Sequence, residues 1–249
     1  MIVFLLAFAA TAHDLWLSPS SWDPAPGAPV RVRLLLGEEL RPERVRPLER
    51  PRVERWTLGD VELETVDGAS PVLDQVVPRR AWLSLETLSE TAVQGDAFFQ
   101  EYVESEGLRD ILGARRMRRP ARVDEEWSRS LKVLLGPAGG DEVATAPVGL
   151  TYELVPQTDP ARLSPGDTLT VQVLHLGRVL PERWVTAWHR DADGLLTEVK
   201  ALSDPDGVVQ LVLPHAGGWL LRSVHMVQVS PERYRSWWTA VGFAVPAAE

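Results

Sequence analysis

The sequence contains no cysteine. That excludes thiolate zinc sites, iron–sulfur clusters and cysteine nucleophiles, so any metal must be held by histidine, carboxylate or backbone nitrogen. Without disulfides an exported chain must rest on its core, which 249 residues and a 45 % apolar share permit. Lysine is nearly missing, occurring only at Lys132 and Lys200, and arginine carries the rest of the basic charge. Beyond the first dozen residues no apolar run approaches the ~18–20 residues of a membrane span. Enzyme signatures are also lacking: there is no Gly-x-Ser-x-Gly elbow, His-Glu-x-x-His, phosphate loop or dinucleotide fingerprint, so the chain is not read as an enzyme. A formal net charge of -9 argues against nucleic acid. The run Arg115–Arg119 is flanked by acidic stretches and reads as a solvated loop.

What is present begins with an uncharged apolar run, Ile2 to Ala9, followed by Ala10-Thr11-Ala12. This is the pattern of a secretory signal with a small-x-small cleavage site, although the basic n-region is missing. It predicts a signal peptide over 1–12, cleavage after Ala12 and a periplasmic or secreted protein. His13 would then be the first mature residue, offering both its α-amine and its imidazole to a metal.

Further along, short alternating segments bounded by Gly, Pro and Asp predict strands: Val30–Leu36, Arg55–Leu58, Val61–Val66, Val72–Val77 and Ala81–Thr87. From Asp96 to Leu112 the apolar residues recur at helical spacing, with Gly107 as a weak point, and a second helix is predicted over Asp124–Leu135 on the shared face of Trp127, Leu131 and Leu134. The loop rich in proline and arginine from Arg41 to Pro51 carries no strand signal, and Gly136–Gly140 is the clearest linker. After it the pattern is all strand, through Val245. The expected class is mainly β, with two β-sandwich-like domains: 13–140, with a helical insertion at about 95–135, and 147–249. The turn at Asp191 is hairpin chemistry, because the positions where a calcium loop needs oxygen, glycine and glutamate hold Leu195, Leu196 and Leu202.

Five segments in order carry a family resemblance: Ala12-His13-Asp14-Leu15-Trp16-Leu17, Phe99-x-x-Tyr102-x-x-x-Glu106-Gly107-Leu108, Trp127-Ser128-Arg129-Ser130-Leu131-Lys132, Pro147-Val148-Gly149-Leu150-x-x-Glu153-Leu154-Val155-Pro156 and Trp219-Leu220-Leu221-Arg222-Ser223-Val224-His225-Met226. Together they resemble an exported family of the DUF4198 type, a domain of unknown function often described as the periplasmic component of a nickel/cobalt uptake system. The resemblance implies a second domain like a transthyretin or carboxypeptidase-regulatory sandwich, a divalent transition metal (nickel, cobalt or copper) as cofactor, and a membrane metal transporter as partner. It covers His13 and His225.

By the two-residue strand period, Trp219, Leu221, Ser223 and His225 share one face and Arg222 points to the other. The expected metal set is His13 (amine and ring), His225 and Glu106, the last as an extra ligand or as a carboxylate orienting a histidine. Tyr102 could line the same pocket. His175, His189 and His215 read as surface or turn residues. Two other readings stay open: a structural or protein-interaction module without metal, and a histidine-brace copper oxygenase.

Overall fold

The computed structural model describes residues 13–22, 24–25, 27–116, 119–137 and 141–247. The chain runs through strands β1 (Asp14–Pro19), β2 (Pro29–Glu38), β3 (Arg41–Arg46), β4 (Val53–Leu58), β5 (Val61–Glu62), β6 (Leu73–Val76), β7 (Ala81–Thr87) and β8 (Glu90–Gly95). Helices α1 (Asp96–Ser105) and α2 (Arg109–Arg115) follow, then β9 (Arg122–Leu135) and the short α3 (Asp141–Thr145). The remainder is β10 (Tyr152–Pro156), β11 (Thr168–His175), β12 (Arg178–Val179), β13 (Trp184–Arg190), β14 (Leu196–Leu202), β15 (Val208–Val212), β16 (Gly217–Ser230) and β17 (Arg233–Val245).

Among the described residues these strands form three sheets. A central nine-stranded sheet has the order β14-β13-β16-β17-β9-β7-β4-β5, with β8 also on β9. β1, β2, β3 and β6 form a second sheet, and β10, β11, β12 and β15 a third. The outer sheets alternate as half-solvated strands do. On β2, Val30, Val32 and Leu34 are buried while Arg31 and Arg33 are exposed, and on β11, Leu169, Val171 and Val173 point inward.

The central strands are buried on both sides because each face is covered. Val32 and Leu34 pack on Leu83, Leu85, Leu131 and Val133 on one face, and Leu169 and Val171 pack with Leu221 and Val241 on the other. Helices α1 and α2 cover the far end of the first face, where Phe99, Tyr102 and Ile111 meet Val224, Met226 and Trp238. The architecture is thus β-sandwich-like and mainly β, as expected.

Three local expectations need correction. The segment predicted as a second helix is strand β9, paired parallel to β17 and antiparallel to β7 and β8. Its Trp127, Leu131 and Leu134 imitate a helical face by falling at i, i+4 and i+7, and Glu125 and Arg129, on the same side of the strand as Trp127 and Leu131, interrupt the apolar alternation that would reveal the two-residue period. Arg41–Arg46, read as loop, is the edge strand β3, whose charged side chains face solvent. Arg115, read as part of a solvated run, is buried: its guanidinium bonds Asp96 and lies over the ring of Phe99. The helical stretch also breaks at Gly107, whose φ of +67° favours glycine and whose missing Cβ would lie 2.7 Å from Trp184. The β9–β17 pairing runs one sheet across the boundary expected near 140–147.

A buried ion pair locks the central sheet to the third sheet. Lys132 Nζ on β9 donates to Glu153 Oε1 on β10 at 2.7 Å, and both residues are buried. The same carboxylate accepts the backbone N–H groups of Val148, Gly149 and Leu150 at 2.8, 3.0 and 3.2 Å. Burial pushes the Lys132 pKa down, against the opposing charge of Glu153.

Removing the carboxylate strands a buried ammonium and three N–H donors, whereas removing the ammonium leaves the carboxylate still bonded. Glu153→Ala should therefore lose on the order of 3–5 kcal/mol, and Lys132→Met clearly less, about 1–3 kcal/mol. Urea denaturation of both variants checks the order.

Candidate functional site

The first face of the central sheet holds a buried guanidinium. Arg222 on β16 donates from Nε to Asp14 Oδ1 and from Nη2 to Glu106 Oε1, both at 2.6 Å. Trp188 and Trp238 face its guanidinium, with ring centres 5.2 and 5.8 Å away. Burial opposes the charge of Arg222, but the two carboxylates outweigh it and raise its pKa. Burial likewise raises that of Asp14, against the pull of Arg222. Nearby, Tyr102 stacks on Trp238 with centroids 5.4 Å apart and donates its hydroxyl to Glu125 at 3.2 Å. Arg129 also lies over Trp238 and donates to the backbone carbonyl of His13 at 2.9 Å.

The opposite face holds two histidines in ring contact. His225 on β16 and His175 at the end of β11 have ring centroids 4.8 Å apart at an interplanar angle of 68°. Trp237 stacks on His225 at 5.3 Å and also touches His175, while Tyr152 flanks both. The Tyr152 hydroxyl is bonded to Ser223 Oγ at 2.6 Å. His225 Nδ1 and His175 Nε2 are buried and make no hydrogen bond to the described residues. Burial, then Arg183 and His175, lower the His225 pKa to about 3. Burial and Arg235 lower that of His175. Both imidazoles are therefore neutral at neutral pH, the state that a metal requires. The two cations at the rim are themselves paired, Arg183 with Asp110 at 3.1 Å and Arg235 with Glu126 at 3.0 Å.

A family profile described as "Domain of unknown function (DUF4198)" matches residues 10–227. The chain belongs to the DUF4198 family. Neither the curated proteins nor the solved structures contain a significant match. The contacts above give the DUF4198 segments a physical meaning. Asp14, Glu106 and Arg222 join the first, second and fifth of them, and Lys132 and Glu153 join the third and fourth. Trp237 and Trp238 lie just beyond the match.

The structure does not bring His13, His225 and Glu106 together. His13 Nε2 contacts Glu43 Oε2 at 2.9 Å, on the side of the sheet where Arg129 reaches the His13 carbonyl. Glu106 turns to Arg222, because a buried guanidinium needs its counter-charge. His225 faces the other way by strand parity, towards His175. Tyr102 is core, packed with Phe99 and Trp238. The cleavage site after Ala12 lies outside the described residues. Of the histidines read as surface residues, His189 is buried on β13, its Nδ1 bonded to the Gly218 carbonyl at 2.9 Å, and His175 belongs to the pair. The signal for His175 was parity: it follows Leu169, Val171 and Val173 on the inward face. No group of three or more His, Cys, Asp or Glu placed to hold a metal occurs among the described residues.

Two outcomes follow from these charges. Arg222→Met leaves Asp14 buried without its cation, so its carboxyl pKa rises further above the unfolded value. Stability is then present at low pH and lost as pH rises, and urea melts should show a deficit on the order of 3–5 kcal/mol at pH 7 that shrinks at pH 5. His225 has the reverse sign: the unfolded state takes up a proton near the ordinary 6.5, while the folded state resists until about 3. Stability is lost as pH falls through that window, by up to a few kcal/mol, and His225→Phe should flatten the loss in melts from pH 7 to 4.

Proposed function

We propose that this protein, in its exported form, binds one divalent transition-metal ion between His175 and His225 and serves metal handling alongside a membrane transporter. One observation carries the reading: two neutral imidazoles in contact each bury a nitrogen that has no hydrogen-bond partner among the described residues. Buried polar atoms are almost always satisfied, so such a pair asks for a ligand, and neutral imidazole is the commonest protein donor to copper, nickel and cobalt. With two nitrogens from the chain, the remaining positions would go to water, which suits an ion that must later be released. Affinity at nitrogen donors favours copper over nickel and nickel over cobalt, so availability selects the physiological ion. Among the described residues no helix is long and apolar enough to cross a membrane.

Titration of the full exported protein with Cu(II) and Ni(II) by calorimetry tests this. One equivalent should bind, and His175→Ala or His225→Ala should weaken it by well over tenfold, since even groups behind a ligand are worth about 10–100-fold. His13→Ala should leave binding unchanged. Because burial lowers the pKa of both imidazoles, that of His225 to about 3, binding should weaken less between pH 7 and pH 5.5 than at a site built from histidines of ordinary pKa. Loss of binding in His13→Ala alone would move the metal to the N-terminus and overturn the reading. No binding by the folded wild type would leave the β-sandwich as an interaction module.

A further inference from the structure

A cavity of about 180 Å³ opens between the first outer sheet and the central sheet, at the end beside β8. Leu15 and Leu36 of the outer layer and Leu85 and Trp127 of the central one supply apolar wall. Arg129 also lines it. Five charged residues line the cavity, and four of them are already engaged with one another. Arg46 pairs with Glu49 at 2.7 Å, and Arg52 pairs with Glu49 at 2.8 Å and with Glu90 at 3.2 Å. Arg129 is the fifth, and among the described residues no carboxylate lies within ion-pair distance of it. The nearby Asp14 is held by Arg222. The guanidinium of Arg129 donates one bond, from Nη2 to the His13 carbonyl.

We infer that this cavity is a binding site for a small organic monoanion, an apolar body carrying one carboxylate, with the carboxylate on Arg129. Burial works against the charge of Arg129, pushing its pKa down, yet a guanidinium stays protonated and its planar fork matches a carboxylate. A partly buried cation met by one carbonyl and the face of Trp238, with no carboxylate in ion-pair distance among the described residues, is incompletely compensated, and a ligand anion would supply the missing charge. The apolar walls select the rest of the molecule, and the volume sets its size: an engineered cavity of about 150 Å³ accepts benzene, so a single ring or a short alkyl chain fits. The site is on the opposite face of the central sheet from His175 and His225, and it does not depend on metal binding.

Benzoate is the probe, with benzyl alcohol as its uncharged counterpart, titrated into the full chain by calorimetry while the Trp127 indole N–H is followed by NMR. Benzoate should bind at one equivalent and shift the Trp127 resonance, and benzyl alcohol should bind at least about tenfold more weakly. Arg129→Met should weaken benzoate by a similar factor. Because that variant also loses the bond to His13, Leu36→Trp provides a second test: it fills the cavity from the half-buried wall, leaves Arg129 in place and should abolish binding. Melting curves establish that both variants are folded. Equal affinity for benzoate and benzyl alcohol, benzoate binding unchanged in both variants, or no saturable benzoate binding to the wild type would each overturn the inference.

Discussion

Burying the Arg222 guanidinium between Trp188 and Trp238 demands counter-charge, and the chain supplies it from two distant places. Asp14 comes from the first strand and Glu106 from the turn after α1. One side chain of β16 therefore fixes where the N-terminal strand lies and how the helices close over the far end of the sheet. A pair of this kind adds little to net stability compared with apolar residues, but it is costly to leave half-made, so it favours one arrangement of strand, helix and sheet. Lys132 and Glu153 do the same on the opposite face, joining the central sheet to the third. Each of the five segments that carry the resemblance holds a member of these buried pairs.

The two faces differ in chemical character. On the first, aromatic rings enclose the matched charges of Arg222, and Arg129, which has no carboxylate within ion-pair distance among the described residues, lines a cavity with apolar wall residues. On the second, burial strips the imidazoles of their protons and leaves nitrogen lone pairs unspent beside Trp237. The first environment suits an anion and the second a metal cation, and a sheet buried on both sides keeps the two apart.

Much of this was legible in the sequence, through regular spacing in the half-solvated elements and through a short run bounded by turn residues in the buried β7. Val30 to Leu36 and Ala81 to Thr87 show their strands, α1 shows its helical spacing, and Gly107 marks its end. β9 was not legible, because Glu125 and Arg129 stand on its apolar side and Leu134 on its polar one, which breaks the two-residue alternation. β3 was hidden as an exposed edge of Arg, Pro and Glu with almost no apolar signal. At the site, the two-residue period of β16 correctly separates His225 from Arg222. What it cannot supply is which residue stands opposite. The His175–His225 contact depends on how the third sheet lies on the central one, a long-range packing fact that no local spacing contains. The same holds for Glu106, whose partner is 116 positions away.

Pulsed electron paramagnetic resonance of the full exported protein loaded with one equivalent of Cu(II) bears most directly on the central claim. The account predicts nuclear modulation from two equivalent imidazoles, reduced to one in His175→Ala. A spectrum with a single imidazole and an amine nitrogen, unchanged in that variant, would place the copper at the N-terminus and contradict it.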